Sequence, residues 1–401
     1  MKNLLDEGRI LYISSTDVSI GNGPGVNERE FILTLYEMIG DRAHFLIPRP
    51  KDDVVDLPVD ACTFSLPYKR NPLNYWGHST SQVREANKLL SQREFDLIVM
   101  RLNLFPLSSL RLTRKHRIPY AIKTLGTGPL NVLDDKGWWI SSSLNKINLR
   151  MFGHLVPNAI VTDTDSTLHV EALQRILGVN SNSIVWIDNT VNVKRFFPSS
   201  TTKARTKLGL NQFDPIIGYI GSRPWERGGM QLIEAAPQLL RKYPNLGVVI
   251  IGEGDQLEDM RQRARELKVA DRIRLEGYVP FDEVPHYVNS LDVGVSISLR
   301  EDRQVNSELK VRQYLACGKP VVISPGSNEF VLEEKFGSIV QPSDIEAIAA
   351  ELDYWLSLPS IEQEAFCRRA VDYMGANLSM EAGVTKRIDL WGERLRAANE
   401  K

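Results

Sequence analysis

This sequence predicts two doubly wound α/β domains, each a parallel sheet flanked by helices. Three observations point that way. Short apolar runs alternate with helix-length amphipathic segments in both halves. A glycine-rich loop follows the first run of each half, and 401 residues exceed what one hydrophobic core usually serves.

The first half opens with the apolar run "RILYISS" (9–15), passes through "GNGPGVNERE" (21–30) and enters a helical pattern with Phe31, Leu35 and Met38 on one face. Further strand candidates are "AHFLIP" (43–48), "DLIVM" (96–100), "PYAIKTL" (119–125) and "AIVTD" (159–163), spaced by segments long enough for crossover helices. The basic run "RLTRKHR" (111–117) falls on a helix-to-loop segment and reads as a solvated face.

"VWIDNTVNVKRFFPSSTT" (185–202) then supplies a polar, turn-rich stretch suited to an exposed connection. The second half repeats the scheme, with strands at 215–220, 247–251, 272–276, 291–297, 320–323 and 337–340. Helices are expected near 229–243, 255–267, 281–289, 308–317 and 344–357. Beyond residue 360 the pattern is helical, with Leu390, Trp391 and Leu395 forming an apolar stripe. The domains are therefore expected at 1–190 and 191–375, with a terminal helix at 376–401.

Composition excludes several classes. The hydrophobic fraction of 42% and charged fraction of 25% suit a soluble globular chain, and no window approaches a membrane-spanning length. With a formal net charge of −1 and no basic excess in either half, nucleic acid is not an expected partner. The three cysteines, Cys62, Cys317 and Cys367, lack any CxxC spacing, and the N-terminus lacks the apolar stretch of a secretory signal. A cytoplasmic location is expected.

Ligands of open parallel sheets bind at the carboxyl ends of the strands, so the loops there carry the chemistry. In "GSRPWERGG" (221–229), Gly228 and Gly229 would let the backbone approach a ligand, the next helix offers free N–H groups, and Arg223 and Arg227 would offset phosphate charge. A surface turn with solvated arginines explains the loop equally well. "IIGEGDQLEDM" places Gly252 and Gly254 after a strand but lacks the third glycine of a dinucleotide fingerprint. In "NSELKVRQYLACGKPVVIS", Ser307 is the expected N-cap of a short helix, leaving the amides of Glu308 and Leu309 free beside the cation Lys310. Gly23 and Gly25 give the first half its own glycine loop, and Trp138 and Trp139 suit either an acceptor surface or packing. No catalytic metal set, Ser-His-Asp order or Cys-His pair stands out.

Taken together, "YIGSRPWERGGMQLIEAAPQLLRKYPNLGVVIIGEGD", "RIRLEGYVPFDEVPHYVNSLDVGVSIS" and "KVRQYLACGKPVVIS" resemble the nucleotide-sugar-binding domain of family 4 glycosyltransferases, which have the GT-B fold. The order and spacing match over roughly residues 215–355. "GNGPG", the segment from Asp96 to Gly128 and "VWIDNTVNVKRFFP" resemble the family's first-domain loop, "R…larkl.iP" segment and linker.

The resemblance implies two Rossmann-like domains facing across a cleft, with the terminal helix crossing back to the first. It also implies a retaining, metal-independent transferase with no cofactor, moving sugar from a UDP- or GDP-linked donor to a glycan, lipid-linked or small-molecule hydroxyl. Arg227 would bind the diphosphate with Lys310 as second cation, Glu308 and Leu309 giving helix-start amides. Gly25, Ser222, Arg223 and Gly254 would lie around the phosphates, Tyr278 and Val279 against the base, and Gln313 at the ribose. Arg101, Lys123 and Gly126 are acceptor-side candidates. Lipid-linked acceptors, common in the family, would bring peripheral contact with the inner face of a membrane.

The family's paired glutamates map to Val305 and Gln313, neither a carboxylate, and its other basic residue maps to Ser222, one position from Arg223. Those departures raise a second reading, a catalytically weak GT-B protein that binds a nucleotide sugar or partners an active transferase. A nicotinamide-dependent oxidoreductase shares the sheet type but not the broken fingerprint.

Overall fold

The computed structural model describes residues 4, 6–19, 21, 23–50, 58, 61–64, 72–102, 105–124, 141–179, 181–299, 308–326, 328 and 330–400. Val305, Gly126, Trp138 and Trp139 lie outside them. The described residues fall into two compact units, Met1–Asp188 with Gly383–Lys401, and Asn189–Ala382.

The first unit holds a seven-stranded sheet built from β1 (Ile10–Ile13), β2 (Ala43–Pro48), β3 (Ala61–Phe64), β4 (Leu97–Arg101), β5 (Tyr120–Lys123), β6 (Val161–Thr164) and β7 (Ile184–Trp186), in the order β3-β2-β1-β4-β5-β6-β7. Its helices are α1 (Gly23–Ile39), α2 (Pro72–Gln92), α3 (Leu107–Lys115), α4 (Ser141–Leu155) and α5 (Thr167–Leu177).

The second unit holds β8 (Ile216–Ile220), β9 (Gly247–Ile251), β10 (Ile273–Glu276), β11 (Val293–Ser296), β12 (Val321–Ile323) and β13 (Gly337–Ile339), in the order β10-β9-β8-β11-β12-β13. Its helices are α6 (Thr201–Leu208), α7 (Gly229–Leu240), α8 (Leu257–Glu266), α9 (Val284–Ser290), α10 (Leu309–Ala316), α11 (Phe330–Glu333), α12 (Ile345–Leu356) and α13 (Ser360–Asn377). The last helix, α14 (Met380–Asn399), carries the chain from the second unit into the first.

Every strand pairing is parallel. Both orders contain 3-2-1-4-5-6, the doubly wound arrangement the alternating pattern predicts, with the reversal at β1/β4 and at β8/β11. Central strands are buried on both faces and so read as continuous apolar runs, "ILYI", "IIGYI" and "GVVII" among them.

Three elements depart from expectation. β3 and β7 are three or four residues long, too short to show a period. The stretch 185–202 is not wholly an exposed connection: β7 reaches Trp186, α6 begins at Thr201, and Val191 and Phe196 pack into the second core. Val191 is pinned there because its amide donates to the Leu378 carbonyl at 2.9 Å and its own carbonyl accepts from Met380 at 2.9 Å. In α14 the buried face is Val384, Ile388 and Trp391, with Leu390 and Leu395 half-buried beside it.

Candidate functional site

The second sheet reverses order between β8 and β11, the place where open parallel sheets take a ligand at the carboxyl ends of their strands. The loop after β8 runs Gly221–Gly228, with a single helical turn at Pro224–Arg227. Backbone bonds tie it to the chain leaving β11: the Ile297 amide donates to Arg227 O at 3.1 Å and the Leu299 amide to Glu226 O at 2.9 Å. Arg227 is thereby set against the start of α10.

There the Glu308 carboxylate gathers three donors. It accepts from Arg227 Nη1, from the Ser296 hydroxyl at the end of β11, and from Lys310 Nζ at 2.9 Å. Lys310 Nζ also donates to the Tyr219 hydroxyl of β8 at 3.2 Å and lies 4.6 Å from the centre of that ring. The Tyr219 hydroxyl donates to the Ser222 carbonyl at 2.8 Å, which ties the loop back to its strand. The Tyr314 hydroxyl of α10 accepts from the Ile220 amide of the same strand at 2.8 Å.

Charge in this cluster is strongly perturbed. Burial works to raise the Glu308 carboxyl, but Lys310 and Arg227 together with bonds from Ser296 and Lys310 outweigh it and hold the group at about 2. Burial is the largest effect on Lys310 and lowers its ammonium to about 8, against the raising pull of Glu308 and with Arg227 adding to the fall. At neutral pH one buried anion faces two cations, and the surplus positive charge suits an anionic ligand. The Arg227 Nε is buried with no partner.

The glycines of this region serve the protein's own packing. A Cβ at Gly228 would sit 2.9 Å from Val295 Cγ1, and one at Gly229 would sit 2.9 Å from both Met260 Cε and Pro224 O, so these two residues let loop and sheet close together rather than admit a ligand. Gly252, at φ +140°, is the tightest: its Cβ would stand 1.8 Å from the Gly221 carbonyl oxygen. The loops after β8 and β9 are zipped there, with the Gly221 amide on Ile251 O and the Arg223 amide on Glu253 O, each at 3.0 Å.

Of the residues singled out in sequence, Arg227, Glu308, Leu309 and Lys310 come together. Ser222 and Gly254 are exposed on the adjoining loops. Arg223 takes φ +57°, and its exposed guanidinium pairs with Glu226 at 3.7 Å rather than with the cluster. Gln313 is half-buried one turn along α10, Tyr278 is 62% exposed after β10, and Val279 packs on the core. The N-cap of α10 is Glu308, not the expected Ser307, and its side chain makes no cap bond because it faces the cations. Tyr219, Ser296 and the Glu308 carboxylate went unnoticed in sequence. A tyrosine inside an otherwise aliphatic strand was the available signal.

The first unit carries a cluster of the same make-up at its own reversal. Glu28 of α1 accepts from Tyr12 at 2.8 Å, from Arg101 and from Lys123 at 3.4 Å, all buried. Arg101 and Lys123 are the last residues of β4 and β5, and Gly25 is buried in the first turn of α1. Burial opposes ionisation of Glu28, yet Arg101 and Lys123 hold it at about 2, while burial brings Lys123 to about 8. Beside them, Arg387 of α14 donates to Asp163 at 2.9 Å.

Residues 200–371 match the family model described as glycosyl transferases group 1. A GDP-mannose-dependent α-(1-6)-phosphatidylinositol monomannoside mannosyltransferase from Mycolicibacterium smegmatis is 30% identical over 175 residues, covering 42% of this chain and 46% of that enzyme. Against the curated relatives first matched, the chain spans about half their length or less. Among solved structures, a sucrose-phosphate synthase from Thermosynechococcus elongatus has a TM-score of 0.75 at 19% identity, covering 97% of this chain and 100% of its own. The Anabaena protein HepE, solved with UDP and glucose, has a TM-score of 0.70 at 15% identity over 96% of this chain and 99% of its own. These likenesses identify the two-sheet architecture as the GT-B fold.

Proposed function

We propose, from the match of residues 200–371 to the family model of the group 1 glycosyl transferases, that the chain transfers a sugar from a UDP- or GDP-linked donor to an acceptor hydroxyl. The observation that carries this reading is the pair of cations, Arg227 and Lys310, gathered on Glu308 at the carboxyl ends of β8 and β11. The group 1 match contains all three residues, and it also spans the stretch whose motifs suggest a nucleotide-sugar domain.

When the anomeric bond breaks, negative charge grows on the departing diphosphate. A guanidinium, an ammonium and the first amides of α10 bind that charge more strongly than they bind the intact donor, which lowers the barrier. Following the family resemblance, the proposed transfer retains configuration and needs no metal, with the leaving phosphate taking the acceptor's proton. Tyr278 and Val279 are proposed to lie near the base and Gln313 near the ribose. A glycan, a lipid-linked sugar or a small polyol is the proposed acceptor, gripped by the first unit near Arg101 and Lys123. No described helix is long and apolar enough to cross a membrane. For a lipid-linked acceptor the proposed contact with the membrane is peripheral.

The test is donor consumption. Purified protein incubated with UDP- and GDP-sugars and a panel of acceptors should release one nucleoside diphosphate, and Arg227→Ala should lose that release. Gln313, an amide where the family pattern has a carboxylate, favours the second reading, a weak or partner-dependent nucleotide-sugar binder. Nucleoside diphosphate binding without turnover on any acceptor would support that second reading over the first.

A further inference from the structure

The motif pattern gives Glu308 only a helix-start amide, yet its carboxylate touches both cations of the cluster. Its two oxygens divide the work, Oε1 taking Arg227 and Oε2 taking Lys310 and Ser296. The residue is also fixed from behind. Arg312, fully buried, donates Nη1 to the Glu308 carbonyl at 3.2 Å and to Asn328 Oδ1 at 2.8 Å, while its Nε reaches the Asn189 carbonyl at 2.8 Å. The Val311 amide donates to the same Glu308 carbonyl at 3.2 Å. A residue held at its carboxylate and at its backbone carbonyl is a brace, not a loose counter-ion that a ligand sweeps aside.

Resting on the donor-site reading above, we propose that Glu308 is a positioning residue: its carboxylate spaces Arg227 and Lys310 for the diphosphate and keeps the Lys310 ammonium protonated at neutral pH. Two cations this close repel, and without an anion between them the buried lysine would shed its proton first, because an arginine stays charged. The groups that face Lys310 are Glu308 on its own segment, Arg227 on the loop after β8 and Tyr219 on β8. Tyr219 in turn lies in the field of Glu308, Arg227, Tyr314 and Glu226, and burial keeps its phenol neutral throughout the range considered. Of these, only Glu308 supplies a full negative charge in direct contact with the ammonium. Its pull already works against burial to leave Lys310 at about 8. Removing that pull must move the lysine lower.

The experiment is titration calorimetry of the full chain with UDP and with GDP from pH 7 to pH 9.5. In the wild type, affinity should hold to about pH 8 and then weaken by about tenfold per pH unit as Lys310 loses its proton. In Glu308→Gln the fall should begin at least about one unit earlier, so that at pH 8 the variant binds roughly tenfold or more weakly than the wild type. Glu308→Asp keeps the charge on a side chain one methylene shorter. It should move the fall in the same direction by less, and it carries the test if the glutamine variant does not fold. A Glu308→Gln or Glu308→Asp protein with the wild-type pH profile, or with tighter binding across the range, would overturn the proposal. A wild type that binds no nucleoside diphosphate would overturn the donor-site reading beneath it, which is a separate result.

Discussion

Replacing Lys310 by methionine separates ligand binding from folding. Lys310 is 9% exposed, and burial brings its ammonium from 10.5 to about 8, a difference worth about 3 kcal/mol against holding it charged at pH 7. Glu308 falls from 4.5 to about 2, worth about 3 kcal/mol in the opposite sense, and part of that comes from Lys310. Methionine removes the cost together with a share of the gain, fills most of the same volume, and leaves Glu308 on Arg227 and Ser296. The expected stability change is within about 1 kcal/mol, or roughly 2–4 °C in the unfolding midpoint of a unit this size. A charge-assisted bond to phosphate is worth about 1.5–3 kcal/mol, so nucleoside diphosphate affinity at pH 7 should fall by roughly tenfold to a hundredfold. Thermal unfolding and titration calorimetry on the same preparation read both. Unchanged affinity, or a midpoint lowered by about 8 °C or more, would refute the reasoning.

Four further outcomes follow from the same structure. Glu28 and Glu308 both have folded values of about 2 against 4.5 unfolded, so their contribution is complete above about 4.5 and disappears as pH falls through about 2. Lys123 and Lys310 are lowered on folding too, so their slope has the same sign: between about 8 and 10.5 the unfolded chain binds more protons, and stability rises with pH there as the cost of the buried charge is relieved, readable as an increasing urea midpoint. Gly252→Ala places a Cβ where the Gly221 carbonyl oxygen stands, at 1.8 Å, and should destabilise the second unit by about 3 kcal/mol or more; a midpoint within 2–3 °C of wild type would show that the two loops are not zipped as described. Arg387→Leu strands the buried Asp163 carboxylate, whose Oδ1 already lacks a partner, at a cost of about 3–5 kcal/mol, and limited proteolysis should then cut α14 early; wild-type resistance would contradict that role for the ion pair.

What the sequence could and could not tell follows from the physics of each element. Strands such as "GVVII" are buried on both faces and announce themselves as apolar runs, and helices such as Ile345–Leu356 carry their own period. β7, at three residues, has no room for a pattern, and its tryptophan looks like part of a loop. Arg227 and Lys310 could be singled out because they stand in strand-to-helix loops at positions the family resemblance marks, although solvated surface cations explained them equally well. The Glu308 carboxylate was not, since its meaning depends on Arg227, 81 residues away, and on Ser296, 12 residues away, being brought to one point. The glycines of "RGG" were misjudged for the same reason. Their close neighbours, Val295 and Met260, belong to distant segments.

The central claim is that Arg227 and Lys310 form a diphosphate cradle. Titration calorimetry of the wild type and Arg227→Ala at pH 7 against UDP, GDP, ADP, CMP and NAD tests it most directly. The account predicts that one nucleoside diphosphate binds the wild type, that CMP and NAD do not, and that Arg227→Ala weakens the binding by roughly tenfold or more. Binding that survives unchanged in Arg227→Ala, or no binding by any of the five, would contradict it.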